Sequence, residues 1–434
     1  MLALDGAVEF DPSLDAPFFA AVPARPGILL VEMRDPHARP HLVRTADLRR
    51  AAERLLGPPD PASKRLNLRD VAARVRYRVT GSKFEQTLAL YEHARANFPG
   101  RYRDALRLRP PALLKVNLRN DYPRCYVTRR LAADGGFYFG PFVSRRAADA
   151  FAEGFLELFK IRRCQIKIRR DPDFPGCIYS EMKMCLAPCF AGCTKEEYDA
   201  EVLSVVETLD TSGAALTAKI EREREAASEA LDFERAAALH KRLEKVSAAM
   251  RGLPELARRI EDLDAVILQR AVEDKTVMIF PLRGGRIEDP CILNFIELSS
   301  QPRSVEAILR ERLEPHQDAV ETRNLSAAAT SPSVEGRDSN SAENAPLDPR
   351  QGTASAVPTE EPSSGVSAPE AGRNDLRKYG LRSAPPDLSE HLALVTRWFY
   401  SKPREGEILF RAADWPYRRI LRACSRLLAP SPSA

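Results

Sequence analysis

Cys164, Cys177, Cys185 and Cys189 are separated by twelve, seven and three residues, with Cys193 close behind. Thiolates are soft ligands, and four of them gathered by a folded loop can hold an iron–sulfur cluster or a zinc ion. Zinc sites usually draw on two short pairs, whereas here only Cys185 to Cys189, or Cys189 to Cys193, is short, so the spacing leans away from a zinc ribbon. Convergence requires the stretch from Pro172 to Gly176 to fold the segment back on itself, and Cys193 is a spare thiol or an alternative ligand. Unliganded core cysteines are the rival explanation. Disulfides are the weaker one, since eight cysteines in 434 residues are too sparse for a bridged scaffold. Cys125, Cys291 and Cys424 stand singly in apolar or strand-like settings and read as core residues.

Around the cysteines lie Arg124, Arg129, Arg130, Arg145, Arg146, Lys160, Arg162 and Arg163, interleaved with Tyr122, Tyr126, Tyr138, Phe139 and Phe142. Guanidinium groups neutralise phosphates and aromatic faces stack on exposed bases, so this stretch predicts a DNA-binding surface that contacts the backbone without sequence preference. The whole chain is only mildly basic, at +5, so the clustering carries this expectation and the net charge does not.

The elements that must position these groups predict an α+β chain. Gly27 to Glu32 reads as a buried strand, Thr45 to Leu56 as a helix ended by Gly57-Pro58-Pro59, Val75 to Val79 as an alternating strand, and Ser82 as the cap of a helix through Arg95. A small mixed sheet follows from that order over residues 15–105. Within a basic, cysteine-bearing region at 106–200, Cys125 to Arg130 and Phe137 to Phe139 flank Asp134-Gly135-Gly136, a hairpin signal. Residues 201–255 predict two antiparallel helices broken at Leu231-Asp232, with Asp232 capping the second. A short β-rich segment at 256–314, a solvated linker at 315–386 rich in Ser, Ala, Pro and Glu, and a small amphipathic segment at 387–428 complete the order. No apolar run approaches the roughly 18 residues of a spanning helix, and the first residues lack a basic leader pattern, so a cytoplasmic protein with no membrane partner is expected.

Several strings together resemble the UvrC excinuclease family: Asp121-Tyr122-Pro123-Arg124-Cys125-Tyr126-Val127-Thr128-Arg129-Arg130, Gly136-Phe137-Tyr138-Phe139-Gly140-Pro141-Phe142, Leu158-Phe159-Lys160-Ile161-Arg162-Arg163-Cys164, Cys185-Leu186-Ala187-Pro188-Cys189, and Leu231-Asp232-Phe233-Glu234-Arg235-Ala236-Ala237, similar to the UVR motif. Pro23 to Leu29 and His41 to Arg50 resemble the frame of the GIY-YIG nuclease domain. The resemblance covers about residues 20–300 and, more faintly, 388–425. It implies a [4Fe–4S] cluster on Cys164, Cys177, Cys185 and Cys189, with zinc as the alternative. It also implies binding to double-stranded, damaged DNA, and docking on the partner protein UvrB through the hairpin, with Leu231, Phe233, Leu239 and Leu243 as anchors and Glu234, Arg235 and Arg242 as a polar rim.

The nuclease chemistry is where the sequence departs from the family. Leu29 stands at the first tyrosine, His41-Leu42-Val43 replaces Tyr-Ile-Gly, Ala51 falls at the arginine, and counting back from Pro99 puts Leu90 at the metal-binding glutamate. A magnesium ion needs hard oxygen ligands, which leucine lacks, so no magnesium site is recognised and a nuclease frame without incision is expected. Two rivals follow: a metal-dependent endonuclease rebuilt from Glu85 or Glu92 with Arg49, Arg50 and His41, and a cluster-dependent, redox-responsive nucleic-acid binder. The stretches Asp264 to Leu268 and Val277 to Arg286 resemble the segment before the family's second nuclease, and no such nuclease is expected in the residues that follow.

Overall fold

The computed structural model describes residues 2–59, 62, 64–314 and 376–429. The first module contains β1 (Gly6–Glu9), α1 (Asp15–Ala21), β2 (Gly27–Met33), β3 (His41–Thr45), α2 (Leu48–Leu56), β4 (Ala72–Val79), α3 (Lys83–Asn97) and α4 (Tyr102–Ala105). Its sheet runs β1-β4-β2-β3 with antiparallel pairings, where the order of elements in the sequence suggests a mixed sheet. The second helix also begins later than its pattern suggests, because Thr45 pairs with Gly27 and ends β3. Asp47 then caps α2, accepting from the Arg50 N–H at 3.0 Å, and Ser82 caps α3 as expected, accepting from the Glu85 N–H at 3.1 Å. Gln86 on α3 donates to the carbonyls of Gly27 and Thr45 at 2.9 and 2.7 Å, seating the helix on the sheet.

The second module corrects the hairpin. β5 (Ala112–Val116) lies between β6 (Cys125–Thr128) and β7 (Phe137–Phe142), and the sheet runs β6-β5-β7-β8, with β8 at Arg258–Arg259. All of β5 is buried, including Lys115. Its ammonium is held by Asp134 and lies 4.9 Å from the Tyr138 ring centroid. Asp134 also accepts from the Gly136 N–H and the Tyr138 hydroxyl, each at 3.1 Å. Burial pushes the Asp134 carboxyl up, but Lys115 and the Gly136 N–H outweigh it and hold the group below its usual range. The turn residues therefore fold a loop onto the central strand instead of joining two neighbours. α5 (Arg145–Leu156), the short α6 (Ile178–Glu181) and α7 (Lys195–Asp210) follow, and Phe139, Phe151, Phe155, Tyr198 and Val202 share one core.

α8 (Ala214–Glu229) and α9 (Phe233–Arg251) form the expected antiparallel pair. Leu231 takes φ of +56° at the bend, and Asp232 accepts from the Arg235 N–H at 3.0 Å. Leu216, Ile220, Leu239 and Val246 join the core of the second module, so the base of the hairpin is fixed there.

The last module brings distant segments together. β9 (Ala265–Arg270), β10 (Thr276–Arg283) and β11 (Arg286–Ile287) lie in one sheet, and β12 (Cys291–Asn294) also pairs with β10. Gly284 and Gly285 both take positive φ, +52° and +78°, as a two-residue turn between β10 and β11 requires. α10 (Phe295–Ser299), α11 (Val305–Leu313), α12 (Leu388–Phe399), β13 (Glu407–Phe410) and α13 (Tyr417–Leu428) complete the module. β13 is not part of a separate appendage: it pairs with β9, Ile408 opposite Ile267, and closes that edge of the sheet. α12 packs against α3 of the first module, with the Phe84 ring 5.0 Å from Phe280 and 5.3 Å from Trp398. The Glu390 carboxylate accepts from the Tyr91 and Tyr102 hydroxyls at 2.6 and 2.8 Å. The expected linker lies outside the described residues over 315–375; its last part does not behave as a linker, since Leu376 and Leu381 are buried and Leu381 exchanges backbone hydrogen bonds with Gly135 and Gly136. Among the described residues no helix is long and apolar enough to cross a membrane.

Candidate functional site

Leu29, in the middle of β2, is wholly buried, and Ala51 on α2 is 3% exposed; both belong to an apolar core with Val31, Leu48, Leu55 and Val75. Leu90 sits on α3 and packs against a different core, shared with the last module. His41 begins β3 opposite Val31; burial first, then the Arg54 guanidinium, holds its imidazole below the usual pKa. Two of the four positions that the resemblance singles out thus share one core, as packing.

The residues of the rebuilt-site alternative are engaged elsewhere. Glu85 is buried and accepts from the Arg78 guanidinium and the Gly81 N–H, each at 2.9 Å. Burial raises its pKa, and those same partners offset part of the rise. Glu92 accepts from the Leu2 N–H at 2.6 Å, Arg49 donates to the carbonyls of Val22 and Ala20, and Arg50 pairs with Asp47 at the surface. Each of these groups has a structural partner that accounts for it.

The cysteine segment is a loop built on hydrogen bonds. Gly176, Ala187 and Ala191 take left-handed φ of +83°, +57° and +60°, turning the chain back at each end of the short α6 and beyond it. The Asp171 N–H donates to the Cys189 carbonyl at 2.9 Å, and Arg170 donates to the Cys193 carbonyl at 2.9 Å. Cys164, Cys177 and Cys185 are partly exposed, whereas Cys189 and Cys193 are buried. The Ala187 N–H donates to Cys185 Sγ at 3.3 Å. Burial pushes the Cys185 thiol up to about 11, and Cys164, Cys189 and Cys177 add smaller electrostatic contributions, so the four thiols share one neighbourhood. Among the described residues no three His, Cys, Asp or Glu side chains are grouped as a ready-made metal site. The donor set is nonetheless all thiol, which fits a soft metal or cluster in type.

The basic surface is less uniform than its sequence. Arg162 is 7% exposed and donates to the carbonyls of Tyr122, Cys164 and Ile166 at 2.7, 3.2 and 2.9 Å, so it ties the cysteine loop to the second module and does not face a ligand. Arg124 lies 4.4 Å from the Tyr126 ring, Arg129 donates to the Pro110 carbonyl, and Arg145 pairs with Asp149 on its own helix. Arg129, Arg130, Arg145, Arg146 and Lys160 are exposed, and Arg163 is half-buried. Lys160 and Arg163 line a cavity of about 930 Å³ against the hairpin, joined by Lys183, Arg242 and Lys245. Lys183 and Lys245 are absent from the sequence-based set; the spacing of Arg242 and Lys245, one helical step apart on α9, was the available signal.

Of the hairpin's candidate anchors, Leu239 and Leu243 pack toward the second module's core. Leu231 and Phe233 are 72% and 68% exposed at the bend, with Glu234 and Arg235 exposed beside them. The apolar tip is therefore smaller than the sequence pattern implies.

This combination of a three-strand frame around β5, a cysteine loop and α7 falls within one recognised unit. Residues 112–208 match the UvrC/Cho excinuclease, middle domain. The chain is similar to UvrABC system protein C of Ruminiclostridium cellulolyticum, 30% identical over 175 residues, which are 40% of this chain and 28% of the relative. It is 31% identical over 200 residues to that of Moorella thermoacetica, covering 46% of this chain and 32% of the relative. With that of Dehalococcoides mccartyi the identity is 27% over 277 residues, 62% of this chain and 44% of the relative. The chain thus spans less than half the length of these relatives. No solved structure matches it.

Proposed function

We propose that this chain acts in nucleotide excision repair as a UvrC-like protein that binds DNA and UvrB and does not itself incise. The observation that carries the non-incising part is the burial of Leu29 and Ala51 in one apolar core, where the family places a tyrosine and an arginine. Leucine and alanine side chains offer no oxygen for a divalent cation and no group to activate water. Similarity to UvrABC system protein C supports the repair role. The exposed Leu231 and Phe233 support docking on UvrB, since a small apolar pair rimmed by charge is the usual form of an interface anchor. Cys164, Cys177, Cys185 and Cys189 would hold an iron–sulfur cluster, with zinc as the alternative. A bound cluster would supply either a redox centre or a cross-link that stiffens the loop. Arg162 fixes one side of that loop, and the Ala187 N–H tempers charge on the Cys185 sulfur.

The test is retention on UvrB-loaded damaged duplex in magnesium, with the protein purified without oxygen and strand ends scored in the same reaction. Retention without new ends is expected, and Leu231→Ser with Phe233→Ser abolishes it. Magnesium-dependent incision would overturn the non-incising reading, and failure of the wild-type chain to be retained would overturn the repair reading.

A further inference from the structure

The cavity between the cysteine loop and the hairpin is lined by cations, most of them exposed. It is lined on one side by Lys160, Arg163 and Lys183, and on the other by Arg242 and Lys245 of α9, with Met182 and Met184 between them. Glu157 and Glu201 are the acidic residues of the lining, and Glu201 accepts from the Lys160 N–H at 2.5 Å. Lys160, Lys183, Arg242 and Lys245 are exposed. Arg163 donates through Nη2 to the Leu156 carbonyl at 2.9 Å, while its buried Nε has no partner. Lys183 holds φ of +54°, a conformation uncommon for lysine, in the turn that contributes to the wall. A concave surface with five cations from three chain segments and a volume of about 930 Å³ favours an extended polyanion over a single small anion.

We infer that this groove holds the sugar–phosphate backbone of one DNA strand, contacted without regard to sequence. The inference rests on the DNA-binding reading above and deepens it. It relocates the site from the exposed arginines near β6 to the junction of the cysteine loop and α9. Arg242 and Lys245 lie about 14 and 18 Å along α9 from Phe233, so a partner confined to the bend would leave the groove open. DNA and partner can then be bound at once.

The experiment measures affinity of the full chain for a fluorescent duplex across a salt series. Arg242→Gln with Lys245→Gln, and separately Lys160→Gln with Lys183→Gln, should each weaken binding by about tenfold and flatten the salt slope by about 1.8, close to 0.9 per lost phosphate contact. Arg222→Gln with Lys241→Gln, which removes equal charge from the hairpin outside the groove, should change both by far less. Equal losses in that control, or no loss in either groove pair while the wild type binds, would overturn the groove and leave the DNA-binding reading standing. No binding by the wild type at low salt would overturn both.

Discussion

The first module and the cysteine–hairpin region treat their polar residues in opposite ways. In the first, Glu85 is closed over by Arg78 and Gly81, Arg49 is consumed by backbone carbonyls, and Leu29 and Ala51 fill space. In the second, Lys160, Lys183, Arg242 and Lys245 stay exposed around a cavity and Leu231 and Phe233 stay exposed at a bend. Exposed apolar and unpaired cationic groups add little to folding, so their placement is the better guide to binding. The comparison separates the residues that pack the first module from the exposed groups that the proposed function assigns to binding.

Substitutions separate the two regions by their effect on stability. Leu29→Asp puts a charge into a sealed core and should cost about 5 kcal/mol, seen as loss of the cooperative denaturant transition; a cost under about 1 kcal/mol would mean that the position opens to water. Arg162→Ala comes next, at about 3 kcal/mol, because it strands three carbonyls that the guanidinium serves. A thermal melt that does not move, together with weakened DNA binding, would return Arg162 to the binding surface.

Acid should act on the seam between the first and last modules. Burial, against the pull of Asp387, holds His391 at about 4, and its Nδ1 accepts from the Ile287 N–H at 3.1 Å. An unfolded histidine titrates near 6.5, so the unfolded chain takes up the proton first. The stabilisation is complete above about pH 6.5 and is lost as pH falls toward 4, a drop of about 3 kcal/mol. Denaturant midpoints between pH 7 and 4.5 should record it, and His391→Gln should remove that part of the slope. Burial opposes ionisation of Asp387, yet Arg286, His391 and Arg95 outweigh it and hold that carboxyl low, adding a loss of the same sign at lower pH.

The smallest effect on stability belongs to the hairpin tip. Leu231→Ser with Phe233→Ser should change the melting midpoint by less than about 0.5 kcal/mol in equivalent stability, because neither side chain is buried. UvrB capture should fall at least about tenfold in a pull-down. A destabilised but still capturing variant would show that the tip packs on its own chain.

Much of the local structure was legible because its signals are local. Ser82 and Asp232 cap helices as their residue types suggest. What escaped was non-local. Ala112 to Val116 carries no turn signal that would reveal it between β6 and β7, and β13 reaches β9 across more than a hundred residues of chain. Charge patterning counted Arg162 among the exposed cations because a sequence does not show which guanidinium turns inward. Leu239 and Leu243, four residues apart, fall on one helical face, but that spacing does not say whether the face meets the chain's own core or a partner.

The central proposal is that the chain binds DNA and UvrB without incising. The direct measurement is incision of an end-labelled damaged duplex, loaded with UvrB, by the purified chain in magnesium, resolved on a denaturing gel. The account predicts intact strands at protein concentrations where the duplex is fully retained. A discrete product that vanishes with a chelator would contradict it.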